Sequence, residues 1–228
     1  MRIGGFQGSS LIDYPGNVSA VIFTIGCNFR CPYCHNPELV LETPEREIPS
    51  EEIIKFLDSR KGVLPAVVIT GGEPTMHDDL PDFARRVKSL GYLVKLDTNG
   101  TNPAMLRKLI GEKHVDYVAM DIKAPREKYP QIVGSAVNAA AIRESIDFLL
   151  SNTVDYEFRT TIVRSQLSPE DLEQIGVEIA GARRYFLQEF LPGKTLHPAF
   201  RNKLSYGRGE LENIAESLKK HVTHCEVR

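Results

Sequence analysis

The feature that most constrains the fold is a regular alternation of strand-like and helix-like segments along the 228 residues. Short runs rich in Val, Ile and Phe predict strands, and segments with capping residues and one apolar face predict helices between them. The predicted strands are 19–25, 66–70, 92–97, 115–121, 155–163 and 184–190, with 224–227 as a weaker candidate. The predicted helices are 79–90, 103–110, 139–150 and 209–221, and two more begin at Ser50 and Ser168.

Strands that alternate with helices pair in parallel through right-handed crossovers, and this predicts an α/β fold. Such a sheet is either open and doubly wound or curved into a barrel. A complete eight-fold barrel typically needs about 250 residues, whereas this chain offers six strand–helix units. We therefore expect a partial (β/α)6 TIM-like barrel of parallel strands, formed as a single domain over residues 1–228. Functional side chains should then follow the strands, at their carboxyl ends.

The composition sets limits on partners and location. A formal net charge of -2 gives no sign of a basic nucleic-acid surface, so no nucleic-acid partner is expected. The first residues have no apolar region typical of a signal peptide, and no apolar run approaches the roughly 18 residues of a membrane span. We expect a cytoplasmic protein without a membrane partner.

Three of the four cysteines lie within eight residues, directly after the first predicted strand. Cys27, Cys31 and Cys34 have the spacing C-x3-C-x2-C, and Cys225 lies near the C-terminus. Thiolates bind iron–sulfur clusters, and three ligands on a four-iron cluster leave one iron open to a substrate or cofactor. Two alternatives remain at this point. One is a zinc site that adds His35, and the other is a closed electron-transfer cluster that adds Cys225.

The cysteine loop, residues 26–36, resembles the signature of the radical S-adenosylmethionine (SAM) superfamily, since an aromatic residue, Tyr33, precedes the last cysteine. The resemblance implies that Cys27, Cys31 and Cys34 hold a [4Fe-4S] cluster. It also implies that the amino and carboxylate groups of SAM bind the fourth iron, with Tyr33 near the adenine. Packing within the loop is the structural alternative for Tyr33.

More of the chain, at least residues 4–192, resembles the glycyl radical enzyme activating proteins of this superfamily. The similarity includes the segments Ser10-Leu11-Ile12-Asp13-Tyr14-Pro15-Gly16 and His35-Asn36-Pro37. Within that branch the chain is similar to activators of anaerobic ribonucleoside-triphosphate reductase and of pyruvate formate-lyase. It departs from the latter at Tyr14, where they tend to carry glycine, and at Lys194, where they tend to carry histidine.

Glycines and a carboxylate follow the second predicted strand. Gly71, Gly72 and Glu73 begin a segment that on its own could be a simple turn. Glycines also let a backbone approach a ligand closely, and a carboxylate can accept a hydrogen bond from an ammonium group. Beside the cysteine loop the segment resembles the GGEP motif of the superfamily, which implies that these three residues contact the SAM amino group.

Charged side chains end the next two strands, in Asp97-Thr98-Asn99-Gly100 and Asp121-Ile122-Lys123. Both segments resemble activating-enzyme motifs. The resemblance implies that Asp97, Thr98 and Asp121 help to hold a monovalent cation near the SAM carboxylate, that Asp97 contributes to the SAM site, and that Lys123 pairs with the carboxylate. Without the resemblance, a structural salt bridge from Lys123 to Asp121 or Asp97 is expected. Arg159 is either a strand-face salt bridge or a contact to a substrate carboxylate or peptide.

The resemblance implies an enzyme that takes an electron from a flavodoxin or ferredoxin-type reductant and cleaves SAM to a 5′-deoxyadenosyl radical. That radical would abstract hydrogen from a glycine of a partner enzyme, with anaerobic ribonucleoside-triphosphate reductase as the preferred target. The alternatives are an activator of pyruvate formate-lyase or of another glycyl radical enzyme, a radical SAM enzyme acting on a small molecule, and a non-catalytic electron carrier. Cys225 is expected to be a free buried thiol.

Overall fold

In the computed structural model, which describes residues 1–228, eight strands form one sheet and each strand pairs with its neighbours in the sequence. The first two strands are antiparallel, and all later pairs are parallel. The strands are β1 Ile3–Tyr14, β2 Asn17–Thr24, β3 Ala66–Gly71, β4 Leu93–Thr98, β5 Tyr117–Asp121, β6 Asp155–Ile162, β7 Arg184–Glu189 and β8 His224–Val227.

Helices connect the parallel strands, as the alternating pattern predicts. The helices are α1 Pro37–Val40, α2 Ser50–Ser59, α3 Leu80–Ser89, α4 Pro103–Gly111, α5 Tyr129–Val133, α6 Ala139–Leu150, α7 Pro169–Glu178 and α8 Arg208–Leu218. The strands β1 and β8 are the two edges of the sheet, so the barrel is open. The prediction of a partial (β/α)6 barrel is confirmed, with β8 added as a seventh parallel strand.

One element of the sheet was not predicted, namely the antiparallel strand β1. Its first eight residues include three glycines and two serines, which have low strand propensity. Its register against β2 shifts at several points, and Leu11 and Ile12 are 80% and 88% exposed. Both features remove the apolar–polar alternation by which a strand is recognised in a sequence. The sheet is therefore mixed rather than wholly parallel.

The two faces of the sheet carry different cores because side chains alternate along each strand. One face packs against the helices. The opposite, inner face holds a smaller apolar cluster of Tyr14, Val21, Ala66, Val68 and Tyr117 at the amino-terminal end of the barrel. The rings of Tyr14 and Tyr117 are 5.8 Å apart, so Tyr14 fills the barrel floor. No helix is both long enough and apolar enough to cross a membrane.

Further along the strands the inner face becomes charged. Lys95 pairs in register with Val68 on one side and with Tyr117 on the other, so it lies between two residues of the apolar floor. Asp121 pairs in register with Arg159 at the carboxyl end of the barrel. The interior is thus an apolar floor below a charged layer, which opens at the strand ends where the predicted motifs lie.

Candidate active site

A cavity of about 220 Å³ opens at the carboxyl ends of the parallel strands. The loops after β2, β3, β4 and β5 line it together, so segments far apart in the sequence meet as expected from a parallel sheet. The predicted site residues among its walls are Cys27, Cys31, Tyr33, Cys34, Gly71, Gly72, Glu73, Asp97, Thr98, Asp121 and Lys123. Arg159 does not line the cavity but bonds to two of these side chains.

Backbone hydrogen bonds hold the cysteine loop from two sides. The Arg30 amide donates to the Val133 carbonyl oxygen in α5 at 2.8 Å. On the other side, the Leu196 amide donates to the Cys34 carbonyl oxygen at 2.9 Å. The segment after β7 therefore braces the cysteine loop, although the sequence offered no signal for this contact.

The three thiols of the loop are desolvated. Burial raises the pKa of Cys27 to about 12 and that of Cys31 to about 11, and it also raises the pKa of Cys34. These thiols therefore carry protons at neutral pH in the absence of a bound metal. Because thiolates are the metal-binding form, loading with iron must release these protons.

The structure assembles neither alternative to an open cluster. No three His, Cys, Asp or Glu side chains lie close enough together to bind one metal ion. The His35 ring stacks on Phe190 at 5.1 Å, and its Nδ1 lies 2.8 Å from the Lys194 carbonyl oxygen. Cys225 is a free, buried thiol, as predicted, but it belongs to the core that packs against the helices. Cys225 pairs in register with Tyr185, whereas the next residue, Glu226, pairs with Phe186 and through it with Arg159 on the inner face. Because side chains alternate along a strand, Cys225 lies on the opposite face of the sheet from the charged inner face. A four-iron cluster has a different requirement from a single metal ion, because each thiolate binds a different iron atom. Three thiols at separate points of one cavity wall meet that requirement.

The two glycines after β3 allow their loop to touch the cysteine loop. The Gly72 amide donates to the Thr24 carbonyl oxygen at 2.9 Å, and the Glu73 amide donates to that of Gly26 at 2.8 Å. A Cβ atom on Gly72 would lie 1.9 Å from the Gly26 carbonyl oxygen, and Gly71 has a φ of +112°. Gly72 is thus required because any side chain would clash with the backbone of Gly26. Gly71 is required because its backbone conformation is one that other residues rarely adopt.

The Glu73 side chain joins the GGEP segment to the DTNG segment. It is 1% exposed. Its Oε1 accepts hydrogen bonds from the Thr75 amide at 3.1 Å and from the Thr75 and Thr98 hydroxyls at 2.5 and 2.7 Å. Its Oε2 accepts from the Asn99 amide at 2.7 Å. Burial raises its pKa despite these bonds. The carboxylate thus faces protein donors, and its contact with a SAM amino group stays a prediction.

Glu73→Gln is expected to lower the free energy of unfolding by about 1–3 kcal/mol, because an amide NH2 would face at least one donor that now meets an oxygen. Urea denaturation followed by circular dichroism measures the change. The exposed Glu45→Gln is the matched control and should shift the free energy of unfolding by no more than about 0.5 kcal/mol. Equal stabilities of the two variants would contradict the role of Glu73 as a link between loops.

On the inner face of the barrel five charged side chains alternate in sign, in the order Lys95, Asp97, Arg159, Asp121 and Lys123. We call this set the charge ladder. Asp97, Asp121 and Lys123 line the cavity. Lys95 Nζ lies 2.5 Å from Asp97, whose other oxygen is 3.3 Å from Arg159 Nη1. Arg159 Nε lies 3.1 Å from Asp121, whose other oxygen is 3.2 Å from Lys123 Nζ. Burial opposes ionisation of Asp121, but Arg159 and Lys123 outweigh it and lower the pKa of Asp121.

The charge ladder contains the salt bridges expected without any family resemblance, from Lys123 to Asp121 and from Arg159 across the sheet to aspartates of β4 and β5. It also contains a residue that the sequence analysis missed. Lys95 lies within an apolar strand, and the available signal was its position two residues before Asp97, which places both side chains on one face.

A polar network that was not predicted links the cysteine loop to the DTNG segment. Asn99 Nδ2 donates to Asn28 Oδ1 at 2.8 Å, and Asn28 Nδ2 donates to the Thr101 hydroxyl at 2.9 Å. Sequence reasoning treated Asn99 only as a turn residue.

Tyr33 packs edge-on against Phe190, yet its hydroxyl is buried without a hydrogen-bond partner. Because buried hydroxyls are normally satisfied, this group fits a cavity wall that is completed by a ligand.

Comparisons with known proteins agree with this geometry. Residues 21–175 match the radical SAM superfamily. A Methanocaldococcus jannaschii protein named as a putative glycyl-radical enzyme activating enzyme is 36% identical over 231 residues, covering 99% of this chain and 95% of that protein. The pyruvate formate-lyase-activating enzyme of Clostridium pasteurianum is 32% identical over 130 residues, which is 54% of this chain and 52% of that enzyme.

Among solved structures, a radical SAM methyltransferase from Sphaerobacter thermophilus has a TM-score of 0.74 at 15% identity, covering 94% of this chain and 67% of that one. This similarity supports the fold alone. The superfamily match implies a [4Fe-4S] cluster and SAM, and the donor set of three thiols, two glycines and an unpartnered hydroxyl around one cavity fits both. The chain belongs to the radical SAM superfamily of enzymes, in the group that includes the glycyl-radical enzyme activating enzymes.

Proposed function

We propose that this single radical SAM domain activates a glycyl radical enzyme. The observation that carries the proposal is that three thiols, the first three residues of the GGEP segment and three members of the charge ladder meet in one cavity. The three ladder members are Asp97, Asp121 and Lys123. The similarity to the Methanocaldococcus jannaschii protein over nearly the full length of both chains supports the choice of reaction.

In this proposal Cys27, Cys31 and Cys34 each bind one iron of the cluster. When bound, the cluster supplies the single electron that cleaves a carbon–sulfur bond of SAM, giving methionine and a 5′-deoxyadenosyl radical. Residues of this chain hold SAM for that step. The charge ladder has one positive charge in excess, so Lys123 and the rest of the ladder attract the SAM carboxylate.

The remaining contacts follow from the cavity walls. Gly71 and Gly72 bring their backbone close to the cysteine loop, where the SAM amino group would lie. Glu73 and Asp97 line the same wall. The unpartnered hydroxyl of Tyr33 lies in the wall proposed to face the adenine. By excluding water from this cavity, the buried loops protect the radical until the substrate arrives.

The second half of the reaction involves a partner. A hydrogen atom moves from the glycine Cα to C5′ of the radical, which leaves 5′-deoxyadenosine and a glycyl radical on the partner. We propose anaerobic ribonucleoside-triphosphate reductase as that partner and a flavodoxin or ferredoxin-type protein as the electron donor. The alignment with the pyruvate formate-lyase-activating enzyme covers only about half of this chain, so it does not select pyruvate formate-lyase as the partner. The open edge of the barrel, between β1 and β8, provides a route for an extended glycine loop.

The test is anaerobic reconstitution with iron and sulfide, reduction, addition of SAM, and chromatographic measurement of 5′-deoxyadenosine. The wild-type chain should form it, and Cys31→Ala should not. Cys225→Ala is the matched control, since it removes a buried thiol from the opposite face of the sheet and should retain cleavage.

Addition of the reductase should then produce a glycyl radical doublet in the electron paramagnetic resonance spectrum. A fully loaded, reduced protein that neither responds to SAM nor cleaves it would overturn the radical chemistry. Cleavage without a glycyl radical on the reductase would overturn the partner alone and favour another glycyl radical enzyme or a small-molecule substrate.

A further inference from the structure

We propose that Lys95 is a positioning residue that supplies, from within the chain, the positive charge otherwise expected from a monovalent cation beside Asp97. The inference rests on the proposed function only in that the ladder binds the SAM carboxylate. It disagrees with the cation expected at Asp97, Thr98 and Asp121, and the disagreement follows from how these three side chains are already occupied.

Lys95 is buried in the barrel interior. Its side chain is 2% exposed, and Nζ lies 2.5 Å from Asp97 Oδ1. Its neighbours in register are Val68 and Tyr117 of the apolar floor. A lysine in such surroundings carries a large desolvation cost, which only a close carboxylate offsets. The contact with Asp97 therefore offsets the cost of burying the Lys95 side chain at this position.

Each of the four carboxylate oxygens of the ladder already faces a cationic nitrogen. Asp97 has Lys95 on Oδ1 and Arg159 on Oδ2. Asp121 has Arg159 on Oδ1 and Lys123 on Oδ2. A sodium or potassium ion would have to compete with these side chains for every carboxylate oxygen that could bind it.

The third expected cation ligand is engaged as well. The Thr98 hydroxyl donates to Glu73 Oε1 at 2.7 Å and accepts from the Gly100 amide at 3.1 Å. Its oxygen is thus part of the network that joins the two loops, where it already serves as donor and acceptor. The oxygen donors expected to surround a cation are used within the protein.

The electrostatics favour the same conclusion. Three cations and two carboxylates leave the ladder with one positive charge in excess, and its side chains are 2–20% exposed. Little solvent is available to screen them. Behind the ladder, the buried Glu157 is neutralised by Arg228 at 3.0 Å. An added cation would increase the excess charge, whereas an anion such as the SAM carboxylate would balance it.

The experiment measures SAM affinity by anaerobic isothermal titration of the cluster-loaded protein in sodium, potassium or tetramethylammonium chloride at equal ionic strength. For the wild-type chain the three dissociation constants should agree within about twofold. Lys95→Met removes the charge while keeping a similar shape. Its SAM affinity should fall about tenfold in tetramethylammonium and recover in sodium or potassium, because the coupled cation then has a place to bind. The exposed Lys55→Met is the control and should behave as wild type in all salts.

A second measurement depends neither on SAM nor on turnover. The 23Na resonance should not be broadened by the wild-type protein beyond the level given by Lys55→Met, and it should be broadened by Lys95→Met. Wild-type SAM affinity that needs sodium or potassium, saturable sodium binding by the wild-type chain, or equal affinities of Lys95→Met in all three salts would each overturn the inference. Absence of SAM binding in every salt would contradict the proposed function instead, and the sodium measurement would still decide the role of Lys95.

Discussion

Gly72→Ala is expected to lower the free energy of unfolding by about 3 kcal/mol or more, one of the two largest stability effects that the structure predicts. The new Cβ would lie 1.9 Å from the carbonyl oxygen and 2.6 Å from the carbonyl carbon of Gly26. Both atoms belong to the backbone, so no side-chain rotation can relieve the clash. The two loops would have to separate, which would weaken the hydrogen bonds from Gly72 to Thr24 and from Glu73 to Gly26.

Urea denaturation of the purified variant measures this effect. Gly209→Ala is the matched control, because it makes the same chemical change in α8 where no atom lies within 4 Å of the added Cβ. It should stabilise the protein by up to about 1 kcal/mol through the higher helix propensity of alanine. If Gly72→Ala is as stable as wild type, the close approach of the two loops is not a feature of the folded protein.

Arg159→Met is expected to have the second large effect, a loss of about 3–5 kcal/mol in the free energy of unfolding. Arg159 is the member of the ladder that contacts both aspartates, through Nη1 to Asp97 and Nε to Asp121. Its removal would leave one oxygen of each buried carboxylate without a cation. Lysine at this position would not restore both contacts, because an ammonium group lacks the fork geometry of a guanidinium.

The same variant should bind SAM more weakly, since the ladder would lose its excess positive charge. Denaturation and SAM titration together distinguish a folding defect from a binding defect. Arg183→Met is the control: its side chain is 51% exposed and lies 3.8 Å from Asp155, so its loss should cost at most about 1 kcal/mol. A stability of Arg159→Met equal to that of Arg183→Met would show that the ladder contributes little to folding.

Both predictions concern contacts that motif recognition could not reveal. The sequence identified Gly72 as a possible ligand contact, and Arg159 as either a salt bridge or a contact to a substrate. The structure shows that Gly72 is required by the backbone of the cysteine loop, and that Arg159 bridges two aspartates from neighbouring strands. Glu73 is a similar case, because its carboxylate is surrounded by protein donors.

The main omission at the level of the fold, strand β1, has a local cause. Its glycines and serines have low strand propensity, and the hydrogen bonds and packing of its pairing with β2 compensate for this.

The position of Tyr14 was also decided by tertiary contacts. The sequence marked it as a departure from pyruvate formate-lyase activators, whereas the structure places it in the barrel floor against Tyr117. Tyr14 thus has a packing role in the apolar cluster and does not line the cavity.

By itself the sequence determined the six strand–helix units, the order of the motifs and their positions after strands, because periodicity, capping and spacing are properties of short segments. Only the tertiary structure decided which charges pair, which carboxylates are occupied by protein partners and which face Cys225 occupies. These outcomes depend on the register between strands that are distant in the sequence, and a shift of one residue would turn every side chain of a strand to the opposite face. Lys95 illustrates the difference: it is an unremarkable lysine in a strand until β3 and β5 enclose it beside Asp97.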